Sequence, residues 1–157
     1  MSRVETEMQQ RILNNAVAFY EAGRRAKEKQ CIFIAEGVEP RSLGAPQVVC
    51  LAFSVELFLK LIGLMEGKTP PRDHNLRTLF DLLSDSTRAE IERRYVYESV
   101  APIAEELGEM ADVFKNWRYF HEAEFLIASP DALVMIAELL RGIARDKDPK
   151  LFSAFET

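Results

Sequence analysis

From Pro46 onward the chain reads QVVCLAFSVELFLKLIGLMEG, apolar on nearly every side and interrupted near its middle by Glu56 and Lys60. Proline suits a first helical turn, where its missing N–H costs nothing, and Gly67 with the following TPPRDHN ends the pattern. A helix apolar all round is either a membrane span or the centre of a bundle. Two charges near its middle, each costing about 2.5–3.5 kcal/mol at the centre of a bilayer, favour the bundle.

The rest of the sequence supplies helices to surround it. From about Thr6 to Gln30, Met8, Ile12, Ala16, Phe19 and Gly23 recur three or four residues apart and predict a long amphipathic helix with these residues inward. CIFIA and then GVEPRSLGAP, with two prolines and two glycines, read as a loop. An Asn or Asp before Leu76 can cap a short third helix that buries Leu76, Leu79, Phe80 and Leu83. STRAE resembles a capping box and opens a fourth helix through Ile91 and Tyr95 toward Val100. Pro102 begins or kinks a fifth, with the seam Ile103, Leu107, Met110, Phe114, Trp117 and His121. Ser129, Pro130 and Asp131 cap a last helix that buries Leu133, Ile136, Ala137 and Leu140 and ends in Arg141, Arg145 and Lys147. The terminal LFSAFET is apolar enough to dock back or to meet a partner. With no strand-like alternation and no linker, residues 1–157 are expected to form one all-α domain, a compact bundle of about five or six helices.

A chain of 157 residues buries roughly two thirds of its unfolded surface and needs no metal or disulfide staple. Its net charge of -5 excludes nonspecific coating of nucleic acid through the overall field but allows a local basic site. Cys31 and Cys50 have no zinc spacing and read as small buried residues in a reducing compartment. The N-terminus, MSRVETEMQQ, lacks the basic start and apolar core of a secretory signal, so a cytoplasmic location with no membrane partner is expected.

Few polar residues can carry chemistry. Glu56 and Lys60 lie one turn apart in the orientation that pairs best, and they form either an ion pair at the core's edge or part of a functional cluster. In FKNWRYFHE, Arg118 and His121 fall on neighbouring turns, with Glu122 one turn beyond Arg118. Arg118 can bridge a carboxylate such as Glu56 or hold a phosphate. His121 and His74 are each either hydrogen-bonded structural residues or proton carriers. Trp117, Tyr119 and Phe120 belong to a core stripe or stack on a base, with Tyr119 the best placed for exposure. Two histidines without HxxxH or HExxH spacing predict no metal, and no cofactor is indicated. Interleaved acids make the clusters Arg24, Arg25, Lys27, Lys29 and Arg88, Arg93, Arg94 solvated helix faces. No P-loop, GxGxxG or GxSxG is present.

SVELFLKLIGLMEGKTPPRDHNLRTLFDLL, followed later by FKNWRYFHE, resembles the HEPN superfamily of small helical-bundle proteins. The matching positions are Glu56, Lys60, His74 and Leu76, with Arg118 and Tyr119 similar to the Arg-Tyr of the family's late motif, so the resemblance spans about Gln47 to Glu122. It implies a homodimer and, in many members, metal-independent cleavage of RNA in toxin–antitoxin or defence systems by an Arg followed after four to six residues by His. Here only two residues separate Arg118 from His121. The resemblance therefore implies first a cytoplasmic accessory protein that binds RNA or a nucleotide through Glu56, Lys60, His74, Tyr119 and Glu122. A second expectation is a dimeric ribonuclease using Arg118 and His121. A third is a noncatalytic bundle that engages a protein partner.

Overall fold

The computed structural model describes residues 3–26, 44–95, 101–111 and 129–155. Among these the chain is all-helical: α1 (Arg3–Ala26), α2 (Gly44–Met65), α3 (Leu76–Asp81), α4 (Asp85–Arg94), α5 (Ile103–Glu109), α6 (Pro130–Lys147), and a 3₁₀ helix, Pro149–Phe155.

α2 is central. It packs on α1, α3 and α6 together, which is why its apolar residues run all round and Val48, Leu51, Val55, Phe58, Leu59, Leu61 and Ile62 are all buried. Each such side chain contributes roughly 1.5–3 kcal/mol over its exposed state. Pro46–Met65 is long and apolar enough to cross a membrane, but most of it is covered by the rest of the bundle.

α1 lies antiparallel against α2: Gly23 meets Leu51, the Ala16 carbonyl accepts from Ser54 Oγ at 2.8 Å, and Met8 and Gln9 reach Leu64 and Met65. The inward face differs from the expected one. Gln9, Leu13, Ala16, Tyr20 and Gly23 are buried, whereas Met8 and Phe19 are 44% and 36% exposed. Periodicity selected apolar residues, but the contact face turns toward two polar ones. Tyr20 is tolerated inside because its hydroxyl donates to Glu138 on α6. Phe19 keeps an edge contact with Phe53 at 4.6 Å between ring centroids.

α3 buries Leu76, Leu79 and Phe80 as expected, with Leu83 buried just beyond it. α4 corrects two expectations. Ser84, within the Ser84–Thr87 stretch that offers N-cap side chains, is the cap, its Oγ accepting from Thr87 N at 3.4 Å, but the Glu90 of STRAE pairs with Arg93 and Arg94 instead of reaching back. The helix also stops at Arg94, with Tyr95 already in extended conformation and its hydroxyl bonded to Glu106 at 2.7 Å. α5 starts after Pro102 and ends at Glu109, so its helical seam is Ile103 and Leu107, with buried Met110 at its C-cap. Phe114, Trp117 and His121 of that seam lie outside the described residues, as do Cys31 and most of the expected loop, whose last three residues, 44–46, instead open α2.

α6 begins as expected, Ser129 Oγ accepting from Ala132 N at 3.4 Å and Pro130 in the first turn. Beyond it Leu151 and Phe152 dock back into the core. Arg24 and Arg25 pair with Glu21 on a solvated face as expected, whereas Arg88, paired with Asp85, is half-buried with its Nε unpartnered.

Candidate functional site

α2 carries one buried acid in its interior, Glu56, only 1% exposed. An ionised carboxylate there needs partners, and two converge on it. Lys60, one turn on, places Nζ 2.6 Å from Oε1. His74, eighteen residues downstream, places Nδ1 3.1 Å from both carboxylate oxygens.

Local sequence explains how His74 arrives. α2 ends in a Schellman turn: Gly67 sits at φ 73, its N–H bonds to the Leu64 carbonyl and that of Lys68 to the Gly63 carbonyl, each at 2.9 Å. The two prolines then prevent a helix from resuming. Asp73 Oδ1 accepts from the N–H of His74 at 2.7 Å and of Asn75 at 3.2 Å, and Asn75 Oδ1 caps α3 through Thr78 N at 2.9 Å. His74 is thus held between a stopped helix and a capped one, its ring laid against α2.

Opposite an ionised Glu56 the hydrogen-bond roles select a tautomer. A carboxylate oxygen only accepts, so Nδ1 carries hydrogen, and in the neutral ring the lone pair belongs to Nε2. The His74 side chain is 62% exposed, so a base held by a buried acid is within reach of solvent. Glu56, Lys60 and His74, three of the positions read from the sequence, therefore form one cluster. Arg118, Tyr119, His121 and Glu122 lie outside the described residues.

Comparison with protein-family models, curated proteins and solved structures finds no match. No group of three metal-ligating side chains occurs among the described residues.

Sequence reasoning missed a half-buried acid, Glu66, just past the end of α2, its side chain 10% exposed. It accepts from Ser84 N and Ser84 Oγ at 2.8 Å each, from Thr87 Oγ1 at 2.5 Å and from Lys147 Nζ at 3.0 Å. Burial alone raises a carboxylate's pKa, but the hydrogen bonds from Thr87, Ser84 and Lys147 overcome it and bring Glu66 to about 2. A signal was present: an acid just before a terminating glycine sits at the negative end of the helix dipole, where it needs donors from elsewhere. This cluster ties α2, α4 and α6 together, and every polar atom of the carboxylate is used in doing so.

Proposed function

We propose that the chain binds single-stranded RNA or a nucleotide at the Glu56–Lys60–His74 cluster, as a HEPN-like accessory protein. The observation that carries this reading is the convergence of two resemblance-bearing positions, Lys60 and His74, on the buried carboxylate of a third, Glu56, up to eighteen residues away. Lys60 and the exposed Arg72, two residues before His74, supply local cations in an acidic chain. In this reading Arg118 holds phosphate while Tyr119 and His121 contact sugar or base, Glu122 lies alongside, and two copies form the working unit. Fluorescence anisotropy with labelled single-stranded RNA in EDTA tests it. Binding that weakens in Arg118→Ala and in His74→Ala, and that falls with salt as phosphate contacts require, is expected. A folded wild-type protein with no RNA or nucleotide affinity rejects it.

A specific observation favours a second reading, metal-independent RNA cleavage: the His74 ring places Nδ1 3.1 Å from both oxygens of the buried Glu56 carboxylate, an acceptor that orients the imidazole. That arrangement suits removal of a 2′-hydroxyl proton, a contribution of about 10²–10⁴-fold when made by a positioned side chain. Chelator-resistant cleavage that disappears in His74→Ala while RNA binding persists selects this reading. Cleavage unaffected by that change excludes His74 as the base.

A further inference from the structure

A cleft of about 330 Å³ opens at the other end of the α1–α2 pair, where the first turns of α1 pass the last turn of α2. Its walls include Met8, Leu64 and Met65, and Glu5 and Lys68 bring one charge of each sign. The Lys68 ammonium is turned to the Leu82 carbonyl. Gln9 also lines the cleft and is 4% exposed, and its Oε1 has no hydrogen-bond partner.

A buried amide oxygen left unpaired costs roughly 1–3 kcal/mol, and a sequence meant only to fill this position has leucine or methionine at hand. Met8, Leu64 and Met65 make the apolar part of the lining and Glu5, Lys68 and Thr69 the polar part, and no group among them pairs with the Gln9 oxygen. Met8, 44% exposed beside it, leaves a flexible apolar surface available to a small occupant.

We infer that this cleft binds a small uncharged molecule with an aliphatic body and a single N–H or O–H donor, the donor pairing with Gln9 Oε1. The opposite charges of Glu5 and Lys68 leave no net field to select an ion. The volume is at the lower end for ligand pockets, which suits a fragment-sized molecule. The terminal amide torsion of glutamine is broad, so an entering donor meets the oxygen without any backbone movement. Nothing in this inference depends on the Glu56 cluster, which lies about two turns earlier on α2.

Hexanamide and N,N-dimethylhexanamide share the aliphatic body and carbonyl and differ in the N–H donor. Chemical-shift titration of the full chain is expected to show saturable binding of hexanamide at Met8 and Gln9, about tenfold tighter than the dimethyl compound, as one net hydrogen bond predicts. Gln9→Leu, which removes the unpaired oxygen and whose folding its melting temperature verifies, is expected to erase the preference. Equal affinities for the two compounds, a preference that survives in Gln9→Leu, or no binding by either compound overturns the inference.

Discussion

The Glu66 carboxylate at the end of α2 accepts the backbone N–H of Ser84 at 2.8 Å and so closes the start of α4 from a different helix. In a capping box that N–H is satisfied by an acid at the third helical position. Here the third position is Thr87, which donates its own hydroxyl to the same Glu66. The reciprocal cap survives with its acid supplied eighteen residues upstream.

Glu66 should make stability depend on acid pH. Its folded pKa of about 2 lies below the ordinary 4.5, so its contribution is complete above pH 4.5 and is lost as pH falls through about 2. The shift is worth about 3 kcal/mol. Urea unfolding of wild type and Glu66→Gln is expected to show a gap of that order at pH 7 that narrows steadily toward pH 2. A gap independent of pH contradicts the role of the charge.

Tyr20 should titrate late. Burial, then the hydrogen bond and charge of Glu138, raise its phenol to about 12. A raised pKa contributes stability below the ordinary value of 10 and loses it as pH rises through about 12. Absorbance at alkaline pH is expected to show one phenol ionising near 12, absent from Tyr20→Phe, which also loses about 1 kcal/mol. If the variant titrates like the wild type, the assignment to Tyr20 fails.

Gly23 should resist even alanine. A Cβ there would lie 2.6 Å from Leu51 Cγ and 3.1 Å from its backbone nitrogen. Alanine's helix preference of about 1 kcal/mol is set against overpacking of typically 1–3 kcal/mol. We expect a lower melting temperature for Gly23→Ala, with part of the loss recovered relative to additivity when Leu51→Ala is combined with it. Additive losses in the double variant rule out a clash between the two sites.

Asn75→Ala should cost about 1 kcal/mol by removing the α3 cap, whereas Asn75→Asp retains the acceptor and should cost little. Because His74 adjoins the cap, its ring resonances are expected to shift in the alanine variant alone. Unaltered resonances there would mean that the cap does not help to position His74.

The legible parts of the fold were those written in local pattern. The all-round apolarity of α2, the Asn75 and Ser129 caps and the docking of Leu151 and Phe152 each rest on residues close in sequence. The α1 face was misread because Gln9 and Tyr20 are inside, and the partner that admits Tyr20, Glu138, is 118 residues away. Among the site residues, the Glu56–Lys60 pair follows from helical spacing, while the placement of His74 on the same carboxylate depends on a Schellman turn and an Asp73 turn acting in series. Glu66 escaped notice because its donors come from α4 and α6, and no local pattern announces them.

The central place of α2 has a consequence for synthesis. Its sides are shared among α1, α3 and α6, and α6 ends at Lys147, so at about 5–20 residues per second one side of the most apolar helix waits roughly 4–16 seconds on the ribosome for its cover. Through that interval α1 and α3 cover only their own sides of it, and a chain stopped short of Pro130 would present the α6-binding side of α2 permanently, as a surface for aggregation.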